Sequence, residues 1–207
     1  MTNSPLDSSW DKDIMSRGEL LKRALQSVLS GCDCDKVHAH AAALNMAQWN
    51  TRKTAEIPNA LPYFLVSHLC EALGAAPRTN EDLVSIRDAL STLLPYVPWI
   101  NRQARADQDS AFVERHRHGM IAGPGGLFEC SNLTLGLALM MPETCSPYHQ
   151  HPPAEFYLVL SPGAWYREDV GWWSRRAGGL VFNPPSCVHA MKSLQTPLLA
   201  LWGLMHE

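Results

Sequence analysis

The first half of the chain carries apolar residues at the three- and four-residue intervals that are typical of amphipathic helices. Between residues 14 and 29 they form one stripe, and Ser30-Gly31 ends the run. Further helices are predicted over 34–50 and 60–73. A fourth is predicted to begin after Thr79, which offers a capping hydroxyl, and to stop at Pro95.

The hydrophobic pattern changes near Pro98. Residues 101–110 are polar and indicate a loop, and over 133–139 apolar and small residues then alternate with the period of two expected for a strand. Similar runs follow at 156–160, 164–167, 180–183, 190–193 and 198–204. Short strands at such spacing predict an antiparallel sandwich or barrel. We therefore expect an N-terminal helical region over 1–100 and a β domain over 101–207.

Composition and charge exclude several classes of partner. The 207 residues include 17 basic and 20 acidic side chains, so no basic field exists to attract nucleic acid or an anionic membrane surface. No apolar run reaches the roughly 18 residues of a membrane span, and the N-terminus lacks the pattern of a secretory signal. We expect a cytoplasmic protein without nucleic-acid or membrane partners, whose six scattered cysteines are free thiols.

Side chains that commonly bind metals concentrate in the β half. Four candidates fall within nine residues: His149, His151, Glu155 and Tyr157. All four positions are odd. On an extended strand His149 and His151 therefore share one face, as do Glu155 and Tyr157, and a bend at Pro152-Pro153 can bring these two pairs together. His189 follows a Pro-containing turn and can return to the same pocket. Imidazole and carboxylate donors favour one divalent transition metal (Zn, Fe, Mn, Co or Ni) without selecting among them.

The residues around this cluster resemble a known family. The segment His149-Gln-His151-Pro-Pro-Ala-Glu155, followed by Gly163, resembles the first cupin motif, and residues 178–184 with Ser186 and His189 resemble the second. More narrowly, H-x-H-P-x-A-E-x-Y, a Trp-rich segment and N-P-P-S-x-x-H-A-M-K are similar to the cupin-type dimethylsulfoniopropionate (DMSP) lyases. The resemblance implies a mainly β fold, a single cupin barrel (double-stranded β-helix, or jelly roll) preceded by a helical region.

The resemblance also implies a reaction, the β-elimination that splits DMSP into acrylate and dimethyl sulfide. It implies that His151, Glu155 and His189 hold the metal and that Tyr157 acts as the base or joins the metal ligands. His149 is a further ligand, a group that orients a ligand, or a substrate contact. A cation on the substrate carboxylate would stabilise the charge that develops when the neighbouring proton leaves. A nearby dication would also favour the phenolate form of Tyr157.

The sulfonium group of DMSP suits aromatic faces, as quaternary ammonium groups do. The candidate substrate contacts are Tyr148, Trp165, Tyr166, Trp172 and Trp173; the alternative is that these rings fill the barrel and its rim. The family pattern has a tyrosine three residues before the first histidine, where this chain has Ser146. That difference leaves the exact small carboxylate substrate open.

Two other functions stay open at this stage, each with a small organic acid as its ligand. One is a metal-dependent cupin dioxygenase or isomerase, and the other is a ligand-sensing cupin without catalysis. The amphipathic helices could cover the barrel of their own subunit or that of a twin, so a homodimer is also left open.

Two further clusters carry metal-binding residue types without a metal-binding spacing. Cys32-x-Cys34 and His38-x-His40 match no zinc pattern, because residues two apart on a helix point in different directions. His116-x-His118, flanked by Arg115 and with Arg117 between the two histidines, is expected on a solvated strand or loop, since Glu114 is the one carboxylate near it in the sequence; the alternative is an anion-binding patch.

Overall fold

The described residues, 5–52, 60–78, 80–101 and 110–206 of a computed structural model, begin with a group of packed helices. They are α1 (Pro5–Ser30), α2 (Asp35–Met46), α3 (Tyr63–Gly74) and α4 (Glu81–Leu93), then a 3-10 turn over Leu94–Tyr96 and a short α5 (Ser110–Arg115). The four predicted helices are present, although α2 ends at Met46 instead of residue 50. Most of the loop predicted over 101–110 lies outside the described residues.

Helix α4 begins where a side chain binds one of its first backbone amides. The Oδ1 atom of Asn80 accepts a hydrogen bond of 3.1 Å from the N–H of Leu83, which is the usual role of an N-cap residue. The predicted cap, Thr79, lies outside the described residues. Ile86 and Leu90 are fully buried in the core that α4 shares with α1. None of the helices in the described part of the chain has the length and hydrophobicity that a membrane crossing requires.

The strands form two sheets that are almost entirely antiparallel. The strands are β1 (Asn50–Thr51), β2 (Trp99–Ile100), β3 (His116–Ala122), β4 (Phe128–Glu129), β5 (Leu133–Met140), β6 (Glu155–Val159), β7 (Gly163–Arg167), β8 (Gly171–Arg175), β9 (Leu180–Asn183), β10 (His189–Lys192) and β11 (Leu198–Met205). The larger sheet has the order β1-β4-β3-β5-β11-β6-β9, with β2 beside β3, and the smaller sheet has the order β10-β7-β8. The expected mainly β fold with N-terminal helices is confirmed.

Strand β5 is buried along its whole length, because both of its faces are covered. Leu133, Leu135, Leu137 and Leu139 belong to the core formed with the helices. Ala138 and Met140 belong to a second core, which includes Trp165 and Met191 of the smaller sheet. The sequence pattern predicted that only one face of β5 is buried. In the structure the helices cover one face and the smaller sheet covers the other.

Small residues on the inner face of β5 and β11 leave space between the sheets. Ala138 and Ala200 are directly paired across the two strands, and Gly136 pairs with Trp202 in the next inner row. A Cβ atom on Gly136 would lie 2.5 Å from Cζ2 of Trp202. Only glycine therefore lets the indole lie flat across β5, and the open space beyond it becomes the cavity described next.

Candidate metal centre and its cavity

Three imidazoles meet at one end of the space between the sheets, because two chain segments pair there. His149 and His189 form an isolated antiparallel bridge, in which each N–H donates to the other's carbonyl at 3.0 and 2.9 Å. The N–H of Ser186 donates to the carbonyl of His151 at 2.9 Å. One ring nitrogen from each of the three histidines lies within 4.8 Å of the others. This group could hold a metal ion.

Each of the three rings is oriented by a backbone carbonyl that contacts its Nδ1 atom. The carbonyls of Pro147, Pro153 and Cys187 contact Nδ1 of His149, His151 and His189, respectively, all at 2.9 Å. A carbonyl oxygen can only accept, so Nδ1 carries the proton and the neutral ring keeps its lone pair on Nε2. Histidines that bind metals are oriented in this way, which leaves Nε2 as the ligand atom.

Glu155, at the start of β6, adds a buried carboxylate beside the imidazoles. Its Oε2 atom lies 3.1 Å from Nε2 of His189 and 3.5 Å from Nε2 of His151. The side-chain amide of Asn183, its register partner on β9, donates to the same oxygen at 3.1 Å. Although close, Nε2 of His189 is buried without an aligned hydrogen-bond partner in the described part of the chain. A cation bound by these donors would satisfy both the lone pair and the carboxylate, so the residues fit a divalent metal.

The charges of this cluster are strongly coupled. Burial acts to raise the pKa of Glu155, but the neighbouring His151 and His189 imidazoles hold that pKa far below its usual range. Burial acts to lower the pKa of His151, but the adjacent Glu155 carboxylate outweighs it and raises that pKa above its ordinary value. Glu155 is therefore ionised at neutral pH and attracts a cation.

In the metal-free protein, His151 is expected to titrate above its ordinary pKa of 6.5. The stability that its pairing with Glu155 contributes is then fully present below pH 6.5 and is lost as the pH rises through the raised pKa. In Glu155→Gln the pKa of His151 should fall and the melting temperature should vary less over this range. Proton NMR titration of the imidazoles and thermal unfolding check this prediction; an unchanged His151 pKa in the variant would contradict it.

A cavity of about 210 Å³ is lined by His149, His151 and Glu155. Tyr157 lies two residues after Glu155 on β6, lines the same cavity and is 3% exposed. The structure therefore brings a phenol, an ionised carboxylate and the imidazoles of His149 and His151 to one small space, with the buried His189 against the carboxylate. Such an arrangement can hold a cation and move a proton near it.

Comparison with known proteins agrees with this geometry. A family model described as dimethylsulfoniopropionate lyase matches residues 36–200. The chain belongs to the DMSP lyase family. The DMSP lyase DddQ of Ruegeria pomeroyi is 28% identical over 125 residues, which are 59% of this chain and 62% of that relative. The match thus spans less than two thirds of the relative's length.

Two solved structures of DMSP lyases have the same fold. A chain from the crystal structures of the DMSP lyases RdDddP and RnDddQII superposes with a TM-score of 0.68 and 23% identity, covering 93% of this chain and 94% of that one. DddQ from Ruegeria pomeroyi gives a TM-score of 0.59 and 22% identity, covering 89% and 92%. The predicted cupin fold is thereby confirmed.

Four rings that the motifs did not include also line the cavity of the candidate metal centre and contact one another in a row. Phe112 of α5 stacks on His116 at 4.7 Å between ring centres, His116 contacts His118 at 4.3 Å, and His118 contacts Trp202 at 5.4 Å. We call these four residues the ring wall. Both histidines lie on a strand, but the expectation of a solvated position was wrong for His116, which is completely buried on the internal strand β3, whereas His118 is half-buried.

The five predicted aromatic contacts do not line this cavity in the described structure. Register places Trp165 opposite Trp173 and Tyr166 opposite Trp172, so the two pairs face opposite sides of the smaller sheet. Trp165 is 1% exposed in the core, with Trp173 packed beside it. Tyr166 and Trp172 instead contact the exposed Tyr148 on the outer surface. Their role as substrate contacts stays a prediction.

Ser146 takes the position at which the family pattern has a tyrosine, and it does line the cavity. Its Oγ atom accepts a hydrogen bond of 3.0 Å from the N–H of Met191. The neighbouring Tyr148 is 57% exposed and lies outside the cavity lining, so it does not replace the missing phenol.

Proposed function

We propose that this chain is a metal-dependent carbon–sulfur lyase that splits DMSP into acrylate and dimethyl sulfide. The observation that carries the proposal is the meeting of three oriented imidazoles and a buried carboxylate beside a small cavity that a phenol also lines, in a DMSP lyase family member. The volume of about 210 Å³ lies below the roughly 300–1,000 Å³ of sites for drug-sized ligands, which suits a small substrate.

In this proposal, His149, His151, His189 and Glu155 hold one divalent transition metal, and Asn183 orients the carboxylate of Glu155. When bound, the metal supplies a positive charge that binds the substrate carboxylate and stabilises the charge that develops next to it. The four donors are imidazole and carboxylate groups without a thiolate, and such donors accept several divalent metals.

Tyr157 is the proposed base. As the phenolate, its Oη atom takes a proton from the carbon next to the substrate carboxylate and becomes the neutral phenol, and the electron pair of that C–H bond forms the double bond of acrylate. The C–S bond breaks at the same time, and dimethyl sulfide leaves with the bonding pair, so the sulfonium charge disappears. The buried position of Tyr157 on β6 keeps bulk water away from the proton that moves.

The ring wall is the proposed site of the sulfonium group. Aromatic faces attract such cations, by up to about 2 kcal/mol where water is excluded. Trp202 offers the largest face, because Gly136 lets its indole lie flat. Glu155 and Trp202 both line the cavity, so the two ends of a zwitterionic substrate would contact different groups.

Trp202→Leu is expected to raise KM for DMSP about tenfold with a smaller change in kcat. The reason is that the indole face contacts the sulfonium group both in the bound substrate and in the transition state. Binding of the analogue that lacks one S-methyl group, and whose sulfur is therefore an uncharged thioether beside the same carboxylate, should change much less. Steady-state kinetics with DMSP and calorimetry with both compounds check this. Equal losses for the sulfonium and the thioether would show that Trp202 acts by shape alone.

The proposal as a whole is tested by loading the protein with Zn, Fe, Mn, Co or Ni in turn and measuring dimethyl sulfide above a DMSP solution. Release of the gas with at least one metal, and its loss after chelation, is the expected result. Absence of gas with every metal, for protein that has bound the ion, would overturn the proposed reaction.

A further inference from the structure

A second cavity lies between α3, α4 and β2, away from the lyase site. Its volume of about 630 Å³ falls within the range of small-molecule sites. Most of its wall is apolar and includes Leu69, Leu73 and Trp99. We call it the helix groove. Trp99 lines the helix groove while the next residue, Ile100, lines the lyase cavity, so successive residues of β2 face the two spaces.

The helix groove has a positive charge that the described residues do not neutralise. Two arginines line it, and no acidic side chain of the described chain does. Arg87 donates to Oδ1 of Asp88 through Nε at 3.0 Å and Nη2 at 2.7 Å. Arg78 is exposed, and no carboxylate among the described residues pairs with it. An unpaired guanidinium beside an apolar wall suits a ligand with one negative charge on an apolar body.

We propose that the helix groove binds an amphiphilic monocarboxylate, with the carboxylate at Arg78 and the hydrocarbon chain along Leu69, Leu73 and Trp99. A guanidinium can bind a carboxylate through two parallel hydrogen bonds, which gives the charged end a defined position. The apolar wall buries the chain and provides the main driving force. The ligand is thus larger and more apolar than the substrate of the lyase cavity.

Gly74 offers a way to fill the helix groove without disturbing the fold. It ends α3 and lines the groove, and a Cβ atom placed on it would meet no atom within 4 Å. Gly74→Trp should therefore put an indole into the open space. Unchanged thermal unfolding and unchanged dimethyl sulfide release would show that the variant folds normally.

The test uses calorimetry of the full-length, metal-loaded protein with decanoate below its micelle-forming concentration. We expect one saturable site per chain, binding weakened at least tenfold in Arg78→Ala, and no binding in Gly74→Trp. Arg176→Ala, which removes another exposed arginine outside the groove, is the matched control and should bind normally. Arg78→Ala changes only one exposed side chain and should fold normally. It therefore still tests the proposal if Gly74→Trp does not fold.

Three results would overturn the proposal. Equal decanoate binding by the wild type and Arg78→Ala would show that the charge of Arg78 does not contribute to binding. Equal binding of decyltrimethylammonium would show that apolar surface alone is recognised. A dimer in analytical ultracentrifugation that Gly74→Trp converts to monomers would show that a second copy of the chain occupies the groove.

Discussion

Tyr157→Phe is expected to lower kcat for DMSP by about 10²–10⁴-fold, the usual contribution of a positioned acid or base. Phenylalanine keeps the ring in the cavity and removes only the Oη atom that accepts the proton. Metal content should not change, because the imidazoles and Glu155 hold the ion in our proposal. Dimethyl sulfide release in sealed vials measures the first effect, and elemental analysis of the same samples measures the second.

Tyr63→Phe is the matched control for this experiment. It removes the same oxygen from a side chain of α3 that is 93% exposed, and its activity should equal that of the wild type. If Tyr157→Phe kept most of the turnover while binding metal normally, another group would have to be the base. If it lost the metal together with activity, Tyr157 would instead be a ligand.

His189→Ala is expected to weaken metal binding by more than about 100-fold and to remove measurable lyase activity. Loss of a group that merely orients a ligand costs about 10–100-fold, and His189 is proposed as a ligand itself. The substitution also leaves the buried Glu155 carboxylate without the imidazole that lies 3.1 Å from Oε2. Elemental analysis after dialysis, together with the gas assay, measures both effects.

His68→Ala removes an imidazole of α3 that does not line the lyase cavity, and it should keep metal and activity. A His189→Ala protein that retains one metal per chain would contradict the proposed centre. Addition of free imidazole provides a further check, because a small ligand can enter the space that alanine leaves and partly restore binding.

The helices and strands could be predicted because each follows a local period of apolar residues. The burial of both faces of β5 could not be predicted in the same way. Its second face carries Thr134, Gly136 and Ala138, whose small side chains produce little hydrophobic signal. Their burial follows from the smaller sheet packed above them, and that packing is a tertiary feature.

The convergence of His149, His151, Glu155 and His189 was predictable, because three of them lie within seven residues and the fourth follows a characteristic turn. The ring wall was not, because it depends on which strands become neighbours. His118 meets Trp202 across β5, from residues 84 positions apart in the chain. The alternation His116-x-His118-x-Met120 was the available signal of a strand face pointing into the space between the two sheets.

The leucines on the outer face of β5 affect how the proposed activity can be studied. A fragment that starts at residue 110 would expose Leu133, Leu135, Leu137 and Leu139 to water, since the helices normally cover them. Apolar patches of this kind cause aggregation. We therefore expect such a fragment to be recovered from inclusion bodies, so catalysis is better studied by point substitutions in the intact polypeptide than by truncation.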